Sequence, residues 1–108
     1  MKTDYKFGEV IRFNEAISFS DENVVFSNVF ETEYGGVSNV ALKAGQKLET
    51  HIAPFEVMVT LCVGEIDFTM LDMTHNMKAG EFLLMGANVP HSVVAKQDSI
   101  ITLVKIKN

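Results

Sequence analysis

A chain of 108 residues can bury one hydrophobic core and build one site around it, and is too short for two such domains. Its net charge of −5, with nine lysines and arginines scattered singly, provides no basic face for a phosphate backbone or an anionic membrane surface, so nucleic acid and membrane are not expected partners. No stretch is long and apolar enough to span a bilayer, and the first residues lack the apolar run of a secretory signal, so the expected setting is cytoplasmic.

In chain order, helical spacing of apolar residues is sustained nowhere for a dozen positions, and the best helical candidate is a single turn at Phe13-Asn-Glu-Ala. Alternation with period two is commoner. Phe26, Asn28 and Phe30 alternate with Val25, Ser27 and Val29, and Ile66, Phe68 and Met70 alternate with Glu65, Asp67 and Thr69. The runs 37–42, 55–63, 81–85, 89–95 and 100–106 are rich in β-branched and aromatic residues and are bounded by Gly, Asn, Asp or Pro. Turns are expected at Tyr34-Gly-Gly, Lys43-Ala-Gly, Val63-Gly-Glu, Asn76-Met-Lys-Ala-Gly and Lys96-Gln-Asp.

About nine or ten short strands without intervening helices leave a sandwich or barrel as the stable arrangement. Residues 57–63 and 100–104 are apolar on both faces, which calls for a cover on the outer surface as well. A homodimer meets that need, either through an apolar outer sheet face or by exchange of N-terminal strands within residues 1–34. Cys62 sits in an apolar run, has no second cysteine to pair with, and is expected to pack as a small hydrophobe.

The histidines carry the chemistry. Gly45 stands six positions before His51, and Gly64 follows the apolar run after it. Further on come Gly80, Gly86, Asn88 and Pro90-His91. On these residues the chain from Gly35 onward resembles the cupin family. That family's first motif is a glycine, five residues, His-x-His, three or four residues, Glu, six residues and Gly; its second is a glycine, five residues, Pro-x-Gly, two residues and His. Gly86 stands in the proline place and Asn88 in the glycine place, where asparagine's tolerance of the left-handed region suits it.

The resemblance implies an all-β double-stranded β-helix, a jelly-roll barrel of two antiparallel sheets. It would form a single domain over residues 1–108, with residues 35–108 as the motif-bearing barrel. It also implies a site in the barrel lumen, where the family's histidines and glutamate hold a divalent metal. Here His51 and His91 are retained, Ala53 replaces the second histidine and Val57 replaces the glutamate. Glu56 lies one position early, and a one-residue slip turns a side chain to the other face of a strand. A β-bulge near Pro54 would bring Glu56 back, and Glu49, two residues before His51, is a second carboxylate expected on the histidine's face.

Two functions follow. In the first, a small organic molecule binds in the lumen, with His51 and His91 as polar anchors and Phe55, Met58, Phe68 and Phe82 as apolar walls. In the second, the chain is a metal-dependent enzyme of the dioxygenase or isomerase kind, its iron, zinc, manganese or nickel ion held by His51, His91 and Glu49 or Glu56. The missing ligands favour the first. His75 is expected in a solvent-facing hairpin turn spanning residues 72–77.

Overall fold

A computed structural model describes residues 1–107. After a single helical turn, α1 (Phe13–Ala16), come nine strands: β1 (Val25–Thr32), β2 (Gly35–Leu42), β3 (Lys47–His51), β4 (Glu56–Val63), β5 (Glu65–Met70), β6 (Met73–Lys78), β7 (Phe82–Met85), β8 (His91–Ala95) and β9 (Ser99–Ile106). They form a five-stranded sheet, in the order β1-β2-β9-β4-β7, and a four-stranded sheet, β3-β8-β5-β6. All pairings are antiparallel. No helix is long and apolar enough to cross a membrane among the described residues.

Alternation explains the core. In β4, Val57, Val59 and Leu61 turn inward, and they meet Ile66 and Phe68 of β5, Val93 and Ala95 of β8, and Val40, Leu42 and Ile101 of the five-stranded sheet. Each fully buried aliphatic or aromatic side chain here contributes about 1.5–3 kcal/mol relative to leaving it in water. The chain passes from β4 in one sheet to β5 in the other at Gly64, whose φ of 92° lies in the left-handed region.

The outer face of the five-stranded sheet is covered on one half only. Residues 1–20 fold back across it: Lys2 bridges to Glu31, the Thr3 hydroxyl donates to the Val29 carbonyl at 2.6 Å, and Ile17 packs on Ala41 and Ile100. This corrects the expectation of several N-terminal strands within residues 1–34, since β1 is the only full strand there and the segment before it covers its own sheet. Across the other half, Met58, Leu84, Val104 and Ile106 line a shallow apolar depression that no described residue covers, with Leu84 68% exposed.

The turn expected over residues 72–77 is also corrected. β5 and β6 are joined by the two residues Leu71 and Asp72, both at positive φ (51° and 60°), and His75 lies within β6 opposite Phe68. Two successive positive-φ residues are what a two-residue hairpin needs to match strand twist. Leu-Asp carries no Asn-Gly signal, so the sequence hid it.

Candidate functional site

His51 ends β3 and His91 begins β8, and the two are register partners across the four-stranded sheet. Their ring centroids are 4.1 Å apart, tilted by 57°. His91 is only 6% exposed and stacks on Phe68, with centroids 5.6 Å apart and planes within 7°. Both rings line a cavity of about 270 Å³ inside the barrel. Leu48, Phe68 and Val93 wall it on one side, Val57, Val59, Met85 and Ile101 on the other, and Ala53 and Phe55 stand on the connection between β3 and β4.

Each imidazole is pinned in the same way. His51 Nδ1 lies 2.8 Å from the Glu49 carbonyl and His91 Nδ1 lies 2.9 Å from the Val89 carbonyl. A carbonyl only accepts, so Nδ1 carries the proton in the neutral ring and Nε2 keeps its lone pair. Burial holds the His91 pKa below the usual histidine value; the Val89 carbonyl opposes this and the neighbouring His51 adds to it. At neutral pH the His91 ring is therefore an uncharged acceptor on an apolar wall. Asn88, at φ 64°, donates its backbone N–H to the Ala53 carbonyl at 2.7 Å and ties the two motif-bearing loops together.

The carboxylates expected beside the histidines are elsewhere. Between Leu48, opposite Val93, and His51, opposite His91, β3 has one residue more than β8. This bulge reverses the parity of the strand, so Leu48 and His51 share the lumen face and Glu49 turns outward. Its carboxylate, exposed, sits 3.3 Å from the Lys47 ammonium. Glu56 is not rescued by a bulge: it lies opposite Ile106 on the outer face, and Val57, 5% exposed, takes the lumen position. Two imidazoles without a third donor do not fit a transition-metal centre, and no group of three or more His, Cys, Asp or Glu side chains suited to holding a metal occurs among the described residues.

Two expected wall residues are corrected by the same parity. Met58 and Phe82 alternate with the inward Val57, Val59 and Leu83, so both point out of the barrel, and Phe82 is 58% exposed. Phe55 and Phe68 line the lumen as expected. The sequence reading missed Leu48 and Lys105. Counting by twos from Ile101 through Leu103 would have placed Lys105 on the lumen wall.

No family model and no curated protein matches the sequence. Solved structures do match. A conserved protein of unknown function from Streptococcus pyogenes superposes with TM-score 0.89 at 21% identity, over 100% of this chain and 96% of that one. A cupin superfamily protein from Desulfitobacterium hafniense gives 0.86 at 12% identity, over 94% and 93%. An RmlC-like cupin protein from Desulfovibrio desulfuricans gives 0.81 at 26% identity, over 91% and 95%. The chain has the cupin fold. Its two sheets, β1-β2-β9-β4-β7 and β3-β8-β5-β6, are those of the double-stranded β-helix, and the paired histidines occupy the lumen of this cupin barrel.

Proposed function

We propose that this cupin-fold protein binds a small organic molecule in the barrel lumen, with His51 and His91 as polar anchors. The observation that carries the proposal is the pair of imidazoles on the wall of a mainly apolar cavity, each with Nδ1 held by a backbone carbonyl and Nε2 left as the acceptor of the neutral ring. An apolar cavity of about 150 Å³ already admits a benzene ring, so this one has room for a ring with substituents. The neutral phenol para-cresol is a suitable probe, read by methionine methyl resonances. The Met85 methyl is expected to shift on binding while that of Met58, outside the barrel, stays put. His51→Ala with His91→Ala should weaken binding about tenfold, as loss of one or two ordinary hydrogen bonds predicts. No shift at Met85 with millimolar cresol, nor with a para-substituted phenol carrying a carboxylate or an amide, would refute the proposal.

We propose also that the uncovered half of the outer sheet face pairs with a second copy. Its outward residues on β4, β7 and β9 are Met58, Thr60, Phe82, Leu84, Thr102, Val104 and Ile106, with Glu56 the only charge at one end. A nearly neutral apolar patch is complementary to itself, which suits an isologous two-fold contact. Light scattering at micromolar concentration should give twice the chain mass, and Leu84→Glu should give a monomer with an unchanged circular dichroism spectrum. A wild-type protein at monomer mass would refute the pairing.

A further inference from the structure

One charged side chain lines the cavity, and the lumen proposal leaves it unused. Along β9 the inward residues are Ile101, Leu103 and Lys105, whereas Val104 and Ile106 face outward at the same end. A strand with one buried and one solvated face ends the other way round, apolar inside and charged outside. The inversion sets Lys105 beside Val57 on the lumen face of the five-stranded sheet, whereas the histidines belong to the four-stranded sheet. Among the described residues no carboxylate lies within ion-pairing distance of Lys105, and of the lysines without such a partner it is the one that lines the cavity.

Building on the lumen proposal, we infer that the ligand class is a small organic monocarboxylate bearing a hydroxyl at its far end. The carboxylate meets the Lys105 ammonium, the apolar body fills the space between the sheets, and the hydroxyl donates to Nε2 of His51 or His91. A charge-assisted contact of this kind is stronger than a neutral hydrogen bond, most of all where water is excluded. The site also rejects alternatives. A dicarboxylate would bury a second charge for which the nearest further cation, Lys107 over the Phe55 ring, is already paired with Glu31, and a phosphate would find one ammonium on the cavity wall where it needs several donors. A wholly neutral ligand would leave the ammonium against an apolar body.

The test compares para-hydroxybenzoate with its neutral isostere para-hydroxybenzamide on the intact protein, again through the Met85 methyl. The acid is expected to bind about tenfold more tightly than the amide. Lys105→Met should remove that preference by weakening the acid alone, Lys105→Gln should do the same, and Lys105→Arg should retain it. Raising the salt concentration should weaken the acid and leave the amide unchanged. If cresol binds but acid and amide bind equally to the wild type, the inference about Lys105 fails and the lumen proposal stands. If none of the three compounds moves Met85, the lumen proposal fails and this inference falls with it.

Discussion

Gly64→Ala is expected to destabilise the barrel by about 3–5 kcal/mol, among the largest costs of any single substitution in this chain. Two effects add. Positive φ costs an L-residue about 1–2 kcal/mol, and at 92° Gly64 is well inside that region. A Cβ there would also collide with the Ser99 hydroxyl and the Asp98 carbonyl and stand 2.8 Å from Ser99 Cα. Neither obstacle moves cheaply. Ser99 is fully buried; its hydroxyl accepts from the Glu65 N–H at 3.1 Å and donates to the Gln97 carbonyl at 2.7 Å, joining the corner between the sheets to the start of β9.

Gly80 supplies the control, because its φ is 93° but nothing lies within 4 Å of the added Cβ. Gly80→Ala should therefore show only the conformational part, about 1–2 kcal/mol. Urea unfolding midpoints of the two variants read the difference directly. Equal losses would show that close approach at Gly64 is not what the corner depends on.

The second large effect is a gain. Ala53→His combined with Val57→Glu should turn the lumen into a transition-metal site, since both positions line the cavity with His51 and His91. The two native imidazoles already present Nε2 lone pairs with Nδ1 held by carbonyls, the arrangement that orients metal-bound histidines. Zinc affinity should rise by about two orders of magnitude or more over the wild type, measured by competition with a chelating dye. Without metal, a carboxylate in place of Val57 should cost about 2–3 kcal/mol, so only the double variant should gain thermal stability when zinc is added. A wild-type protein that retains stoichiometric metal through dialysis would overturn the assignment of an incomplete ligand set.

Much of the barrel was legible because burial imposes period two. Ile66 and Phe68 on β5 alternate with polar residues in the sequence and are inward in the fold, whereas β4, apolar on both faces, left its inward side open until the register placed Val57, Val59 and Leu61 there. The histidine pair was legible from motif spacing, and the helical turn at Phe13 stands where the residues place it. Counting failed where the backbone adds a residue. The bulge in β3 reverses Glu49 relative to His51, and nothing in Leu48-Glu49-Thr50-His51 announces it. The Leu71-Asp72 turn was hidden for a similar reason, because its left-handed residues are not the types that usually reveal one. Met58 and Phe82 were assigned to the lumen by residue type, and the phase of β4 in the fold, with Val57 inward, turns both outward.

The cavity and the hydrophobic core are built from the same atoms. Val40, Val59, Phe68, Val93 and Ile101 belong to the central cluster and also line the lumen. A larger side chain at any of them would fill space, and cavity filling commonly raises stability by about 0.5–2 kcal/mol. Drift toward a sturdier barrel would therefore extinguish the site before it touched either histidine. Under the proposed lumen binding, fitness for folding and fitness for occupancy would compete residue by residue along this wall.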